Sequence, residues 1–292
     1  MGELHLALSG EAELKKLCVI KQIIGHLSDR EFVRRFVDEA KLVVKLSHQN
    51  LVPVFESGVE DGQYYLVMEY IEGRDLRAIW KSLQRMDRPC PIEVALHIIK
   101  EICRGLSYAH TYGELELVHR DISPPNVLLS FSGEVRVTDF GLASSRLKLQ
   151  KTAPGVLFGK LAYMAPEQAR NEPLDARTDI FSTAILLHEM LTTEKLFRGD
   201  SEFDLMEKVR SAAVPPPSKF NRRVKPELDK IVLRGLAREP DDRFATADDF
   251  ADALDGVLES YGFQKDELRE FVRGMFPSEY NRQKAEVDVC LL

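Results

Sequence analysis

The sequence of 292 residues predicts an α+β fold of two lobes: a small lobe with an antiparallel sheet and one helix, and a large, mainly helical lobe. Two observations carry this prediction. Short apolar runs with strand periodicity fill the first 70 residues and flank one amphipathic helix. Longer helical patterns, such as those at 91–111 and 178–191, fill most of the remainder. We therefore assign 1–70 to the small lobe, 71–260 to the large lobe and 261–292 to a C-terminal helical extension and tail.

The small lobe carries one candidate ion pair between a strand and a helix. Lys21 ends the apolar run 17–21, where it could also be an ordinary solvated residue at a strand end. A capping box, Ser28 with Glu31, starts the next helix, and Glu39 falls between the apolar positions of that helix. A carboxylate near a buried face is unfavourable without a partner, so Lys21 is the expected partner. The remaining strands are expected around Leu4 and Leu6, at 51–56 and at 64–70.

Composition limits the classes of function. A net charge of −7 argues against general binding to nucleic acid or to an anionic membrane. The most apolar helical stretch, 180–191, is too short and too polar to span a bilayer, and no signal peptide leads the sequence. We therefore expect a cytoplasmic protein with free thiols in a reducing compartment. The four cysteines are scattered, with no CxxC pair: Cys18, Cys90, Cys103 and Cys290.

The strongest motif in the chain is His119-Arg120-Asp121, followed by Asn126 and then by Asp139-Phe140-Gly141. A lone His-Arg-Asp tripeptide is a weak signal. Asn five residues after the Asp, an apolar strand, a turn, a second strand and Asp-Phe-Gly together form a strong one. Phosphoryl transfer needs one carboxylate to orient a hydroxyl, plus an Asn and a second carboxylate to hold Mg²⁺. This spacing supplies all three groups.

On these motifs the chain resembles protein Ser/Thr kinases, especially the bacterial branch that is similar to the eukaryotic enzymes. The resemblance covers residues 1 to about 261 and includes the activation-segment ending 163–170. It implies the two-lobed protein-kinase fold, with ATP and Mg²⁺ as cofactors. It also implies architectural roles for three charges: Glu167 pairs with Arg243, and Asp179 anchors the backbone of the catalytic loop.

The resemblance assigns roles to the catalytic and metal-binding residues one by one. Asp121 orients the attacking hydroxyl and accepts its proton late, Asn126 and Asp139 hold Mg²⁺, and Lys21, paired with Glu39, neutralises phosphate charge. His119 and Phe140 are expected to be packing residues. Arg120 is a candidate receiver for a phosphorylated residue of the activation segment, where Thr152 is nearest the usual site among Ser144, Ser145 and Thr152.

The same resemblance places the nucleotide against the strap between the lobes. The backbones of Glu69 and Ile71 are expected to contact adenine, and Asp75 lies where the ribose is often held. Met68 either lines the back of the pocket or is plain core. The other residues expected to contact the nucleotide are Gly2, Leu4, Val19 and Leu128.

Three features depart from the family pattern. Gly2 can serve as the third glycine of the Gly-rich loop, but the sequence begins inside that motif and lacks the first strand. We expect either an upstream continuation of the reading frame or a short phosphate roof. Ser123 stands where Ser/Thr kinases usually carry Lys, and Lys160 stands where a Thr is usual. We hypothesise a swap in which Lys160 reaches Asp121 and the γ-phosphate and Ser123 supplies the hydroxyl; the alternative is an exposed Lys160 facing the substrate.

The sequence therefore favours a protein Ser/Thr kinase that phosphorylates unidentified proteins and itself. A homodimer would permit one copy to phosphorylate the other. The competing interpretation is a pseudokinase that acts as a nucleotide-binding or scaffold module, which the short Gly-rich loop and Ser123 favour and the retained catalytic residues oppose. The stretch 265–276 is expected to form an amphipathic helix on the large lobe, or else to dock a partner. Residues from 278 onward are expected to be loosely ordered.

Overall fold

The computed structural model describes residues 2–10, 15–23, 30–113, 117–140, 159–264 and 266–290. Five residues named in the sequence predictions lie outside these ranges: Ser28, Gly141, Ser144, Ser145 and Thr152.

A four-stranded antiparallel sheet and one helix form the small lobe. The strands are β1 (Gly2–Ser9), β2 (Lys16–Ile23), β3 (Val54–Glu60) and β4 (Gln63–Glu69), and their spatial order is β1-β2-β4-β3. Helix α1 (Arg30–Val43) lies between β2 and β3 in the sequence. Strand β3 carries a register shift between Val54 and Glu56. The predicted α+β small lobe is confirmed, but the strand predicted at 51–56 begins at Val54 and continues to Glu60, because its pairing with β4 runs between these two residues.

A second, three-stranded sheet begins where the strap between the lobes ends. Strand β5 (Gly73–Asp75) pairs with β6 (Val127–Ser130), which pairs with β7 (Val135–Val137). Strand β6 follows directly on Asn126, and β7 leads into Asp139. This small sheet therefore fixes three segments relative to one another: the strap between the lobes (69–73), the catalytic loop (119–126) and the segment Asp139-Phe140, which we call the metal loop.

Helices make up the large lobe. The central one, α5 (Arg177–Thr192), is buried at every residue from Thr178 to Thr192, which is the pattern of a helix enclosed by protein on all sides. Helices α3 (Ile92–His110), α7 (Pro226–Gly235) and α8 (Ala247–Leu258) pack against it, and the remaining helices of this lobe are α2 (Leu76–Met86), α4 (Pro166–Arg170) and α6 (Glu202–Ser211). Helix α2 was not anticipated from the sequence. Asp75 caps it by accepting a hydrogen bond from the backbone N–H of Ala78 at 2.7 Å.

The chain ends in two further helices, α9 (Glu267–Met275) and α10 (Pro277–Cys290). The amphipathic helix predicted at 265–276 is α9, and its apolar residues Leu268 and Val272 are fully buried. The expectation of loose order after residue 278 is wrong. Helix α10 is held by buried Gln283 and by the ring of Tyr280, which packs edge-on against Phe131 with centroids 5.2 Å apart.

Two smaller observations complete the fold. All four cysteines are free thiols, as predicted. Within the ranges that the structure describes, no helix is both long and apolar enough to cross a membrane.

Candidate active site

The catalytic loop is held by one buried carboxylate. Asp179, fully buried at the start of α5, accepts hydrogen bonds from the backbone N–H groups of His119 at 2.7 Å and Arg120 at 2.8 Å. The His110 ring nitrogen Nε2 lies 2.8 Å from the same carboxylate. Burial by itself raises the pKa of Asp179, but the His110 hydrogen bond and charge more than offset this, so its pKa lies below the ordinary value. The predicted anchoring of the loop by Asp179 is thus present.

His119 orients the loop further. The backbone N–H of Asp121 donates to His119 Nδ1 at 3.2 Å, which makes Nδ1 the acceptor and Nε2 the protonated nitrogen. Nε2 then donates to the carbonyl of Thr138 at 2.9 Å. The His119 ring also packs edge-on against Phe140, with centroids 4.6 Å apart. His119 and Phe140 are therefore packing residues that join the catalytic loop to the metal loop.

The two predicted metal ligands are brought together. The Asn126 amide Nδ2 donates to the backbone carbonyl of Asp121 at 2.7 Å, so its oxygen points away from that carbonyl. The backbone N–H of Thr138 donates to the carbonyl of Asn126 at 3.0 Å, which fixes the following residue, Asp139, beside Asn126. Asp139 has a left-handed backbone conformation, with φ at 66°. No cluster of three or more His, Cys, Asp or Glu side chains suited to a metal occurs among the described residues. A hard cation here would use an amide and a carboxylate oxygen.

Lys21 reaches the metal loop from the small lobe. Its ammonium forms an ion pair with Asp139 Oδ1, and the side chains are 13% and 25% exposed respectively. Glu39 lies half-buried on α1, one residue before fully buried Ala40. The expected pairing of Lys21 with Glu39 stays a prediction.

One face of the small-lobe sheet carries four of the residues that were expected to contact the nucleotide. Leu4 pairs with Lys21, and Val19 pairs with Met68. Directly paired residues project from the same side of a sheet, and the i and i+2 positions share a side, so these four lie on one face. Leu4 is 66% exposed on that face, whereas Met68 is 6% exposed at its base. Gly2 begins β1, where it pairs with Ile23.

The strap between the lobes follows Met68. Glu69 is tied to the small lobe by its backbone N–H, which donates to the carbonyl of Pro53 at 2.9 Å. Ile71 lies partly buried two residues later. Asp75 pairs in register with Leu128 across β5 and β6, so these two also share a face, directly below the strap. Asp75 Oδ1 caps α2 and its other oxygen, Oδ2, lies 3.7 Å from a guanidinium nitrogen of Arg77, so the contact of Asp75 with a ribose stays a prediction.

Lys160 lies against Asp121, the predicted catalytic aspartate. Its ammonium is 2.7 Å from Asp121 Oδ2, and the two side chains are 28% and 16% exposed. Ser123 is buried, and its hydroxyl lies 3.4 Å from the backbone carbonyl oxygen of Asp121. It contacts the backbone of Asp121 and not the carboxylate. Asp121 therefore has the Lys160 ammonium against its carboxylate and the Ser123 hydroxyl near its backbone carbonyl.

The end of the activation segment is locked by a buried ion pair. Arg243 Nη1 and Nη2 contact the two oxygens of Glu167 at 2.8 and 2.7 Å, and the side chains are 0% and 3% exposed. Burial raises the pKa of Glu167, but the hydrogen bonds and charge of Arg243 outweigh it and hold that pKa below its ordinary value. The predicted pairing is present. Gln168, which the sequence argument did not single out, bridges the segment to the catalytic loop by donating to the carbonyl of Arg120 at 3.0 Å.

A second group that the sequence argument missed lies at the edge of the site. Tyr163 donates to buried Glu189 at 2.7 Å, and Lys195 contacts both side chains. The Lys195 ammonium also lies 5.0 Å from the centre of the Trp80 ring. Tyr163 belongs to the activation-segment ending 163–170, whereas no motif marks Trp80, Glu189 or Lys195, which lie elsewhere in the sequence. Trp80 as the chain's single tryptophan was the one available signal.

Comparison with known proteins agrees with this geometry. A family model described as the protein kinase domain matches residues 7–254. The chain is 36% identical, over 98% of its length, to the tyrosine-protein kinase MasK of Myxococcus xanthus. Over 85% of its length it is 35% identical to the serine/threonine-protein kinase PrkC of Bacillus subtilis and 36% identical to PknB of Mycolicibacterium smegmatis. The chain spans 46%, 37% and 39% of these relatives, less than half of each.

Solved structures give the same result. The kinase domain of PknI from Mycobacterium tuberculosis is 28% identical, with a TM-score of 0.68 over 88% of this chain and 90% of that one. The family model also covers most of the chain, including both lobes and the motifs of the site. The chain therefore belongs to the protein kinase family, alongside bacterial serine/threonine kinases that are similar to the eukaryotic enzymes.

Proposed function

We propose that this chain transfers the γ-phosphate of ATP to serine and threonine hydroxyls of proteins, including its own. The observation that carries the proposal is the convergence of Asp121, Asn126, Asp139 and Lys21 on one cleft, with Lys160 added at Asp121. Two relatives bear the name serine/threonine-protein kinase, which supports the acceptor class. MasK bears the name tyrosine-protein kinase, so the acceptor residue must be measured directly.

Asp121 is the group proposed to receive the acceptor hydroxyl. Its Oδ2 is engaged by Lys160, so we assign Oδ1 to the hydroxyl proton. Because phosphoryl transfer has a loose transition state, this contact acts mainly by positioning the oxygen in line and needs little base strength. The anchoring of the loop by Asp179 keeps the carboxylate from turning away.

ATP and Mg²⁺ are the cofactors that these residues fit. Asn126 and Asp139 offer one amide and one carboxylate oxygen, the hard donors that Mg²⁺ prefers alongside phosphate oxygens. Bound Mg²⁺ would neutralise phosphate charge as it develops. Lys21 is proposed to share that task, with Glu39 beside it. Leu4, Val19, Met68 and Leu128 are proposed to hold the adenine ring, and the backbones of Glu69 and Ile71 to bind its polar edge. Gly2 would cover the phosphates and Asp75 would hold the ribose.

Lys160 and Ser123 are proposed to exchange the tasks that a catalytic-loop Lys and an activation-segment Thr carry in related kinases. The 2.7 Å contact between Lys160 and Asp121 supports the first half of this exchange. Ser123 contacts the backbone of Asp121 and not its carboxylate, so its hydroxyl is proposed to support the loop rather than to touch the reacting groups.

The biological partners are also proposals. We expect protein substrates and no nucleic acid, and we expect the chain to work in the cytoplasm. A homodimer would bring the activation segment of one copy to the site of another. The negative net charge fits this set of partners.

The test is transfer of labelled γ-phosphate to the chain itself and to a generic basic protein, followed by phosphoamino-acid analysis. We expect phosphoserine and phosphothreonine, lost in Asp121→Asn and retained in Asp61→Asn, the same change at an exposed turn. Phosphotyrosine alone would contradict the acceptor class. Nucleotide binding with no transfer above the Asp121→Asn level would establish the pseudokinase.

A further inference from the structure

The C-terminal helix α10 contacts the strap that follows the small lobe. Gln283 Oε1 accepts a hydrogen bond from the backbone N–H of Gly73 at 3.1 Å, across 210 positions of sequence. Gln283 is 8% exposed and is the one fully buried residue of α10. A helix docked by packing alone buries an apolar stripe. Here the buried residue is polar, and its partner is the main chain of the strap.

Gly73 is confined on its other side as well. An added Cβ at Gly73 would lie 2.1 Å from the carbonyl oxygen of Leu129, because β5 and β6 approach unusually closely there. The strap at Gly73 therefore lies between β6 and Gln283. The backbone N–H of Gly73 donates to the Gln283 side chain at the end of the sheet.

Two further links join the same segments. Arg74 pairs with Glu279 at 3.3 Å and lies over the ring of Phe276, 5.5 Å from its centre. Glu72 accepts a hydrogen bond from the backbone N–H of Phe131 at 2.8 Å, and the Phe131 ring packs against Tyr280 of α10. Three consecutive residues at the end of the strap and the start of β5, from Glu72 to Arg74, are therefore held by α9 and α10, either directly or through Phe131.

We propose that α9 and α10 brace the nucleotide-binding strap, and that Gln283 is a positioning residue for ATP. This inference rests on the proposed function, in which the backbones of Glu69 and Ile71 bind adenine. A backbone that is ordered before the nucleotide arrives loses less conformational entropy on binding. The brace therefore acts on the affinity for ATP and leaves the phosphoryl-transfer step at Asp121 unchanged.

The experiment compares Gln283→Leu, Gln283→Glu and Asn281→Leu in the full chain. Asn281 is an exposed amide on the same helix and gives the matched control. Loss of one hydrogen bond predicts about fivefold weaker ATP binding and a similar rise in KM for Gln283→Leu, with kcat within about twofold. Gln283→Glu retains an oxygen acceptor and is expected to recover most of the affinity. Hydrogen exchange at the Gly73 amide should accelerate in Gln283→Leu alone.

Each outcome decides a separate point. ATP affinity in Gln283→Leu equal to that of Asn281→Leu overturns the brace, whatever the melting temperatures do. If Gln283→Leu does not fold, Glu279→Gln, at a half-exposed position, takes its place, and an unchanged KM for ATP there overturns the brace in the same way. ATP binding without phosphoryl transfer contradicts the proposed function but not the brace. No binding of ATP by the unaltered chain contradicts both.

Discussion

Lys160 and Asp121 form an ion pair of 2.7 Å although they lie 39 residues apart and on different segments. The catalytic loop supplies no cation of its own at position 123, where Ser123 contacts only the backbone of Asp121. Lys160, which precedes the activation-segment ending, supplies this cation. The positive charge beside the Asp121 carboxylate is therefore brought there by the tertiary structure and not by the neighbouring sequence.

Lys160→Thr is expected to lower kcat by about 100-fold, the usual effect of removing one charge-stabilising donor. Ser123→Lys alone is expected to be impaired, because it buries a second cation beside Asp121. The double variant Lys160→Thr with Ser123→Lys should recover at least about tenfold over Lys160→Thr, since the two changes act on one group. Lys219→Thr, on an exposed turn, is the control. A double variant no better than the worse single variant would refute the exchange.

Glu167→Gln is expected to destabilise the chain by about 3–5 kcal/mol, because it leaves buried Arg243 without its countercharge. Glu189→Gln gives the informative comparison. Its partner Lys195 is 37% exposed and can regain water, so the loss should be clearly smaller. Urea unfolding followed by far-ultraviolet circular dichroism measures both. Equal losses would mean that burial of the partner does not set the cost.

Acid is expected to destabilise the fold through Glu167 and Asp179. Both carboxyls have a pKa below the ordinary value, so their contribution to stability is complete above about pH 4.3 and is lost as the pH falls through the folded-state pKa. The unfolded chain binds more protons in that range, so the free energy of unfolding falls with the pH. Urea titrations between pH 3 and 6 give the free energy of unfolding at each pH. Its slope against pH should be shallower for Glu167→Gln than for the unaltered chain. Identical slopes would exclude Glu167 from the acid response.

Two helical glycines are expected to respond oppositely to alanine. Gly256 in α8 has open space around an added Cβ, so Gly256→Ala should stabilise the chain by about 0.5–1 kcal/mol. At Gly235 in α7 the added Cβ would lie 2.8 Å from Cβ of Ala184 on α5, and overpacking of this kind costs about 1–3 kcal/mol. Thermal unfolding of the two variants gives the signs. Stabilisation by both would show that α5 and α7 can separate without cost.

The residues that sequence could place are those whose neighbours are set by local spacing. Asp121, Asn126 and Asp139 follow one another through short turns and strands, so their order along the chain also fixes their proximity. Glu167 with Arg243 was found only because the resemblance supplied it, since no local pattern joins positions 76 apart.

What sequence could not give depends on distant packing. Helix α10 has no apolar stripe to mark it, and it is held by the contact of Gln283 with Gly73, the ion pair of Glu279 with Arg74 and the packing of Tyr280 on Phe131. The group of Trp80, Tyr163 and Lys195 joins residues from distant parts of the sequence. In both places the partners lie far apart in the sequence, so their contacts leave no periodic pattern in it.

The last strand of the small-lobe sheet ends at Glu69, but an earlier segment of the chain already contacts the large lobe. Val52 donates its backbone N–H to Val137 at 2.9 Å, and Val137 donates to Asn50 at 2.8 Å, so the segment after α1 is stitched to the strand that ends at the metal loop. Asn50 also donates its side-chain amide to Glu101 of α3 at 2.9 Å. A cut between residues 70 and 71 would expose these backbone groups on both fragments. We therefore expect the two parts to fold together, and neither part should be recoverable as a stable protein when expressed alone.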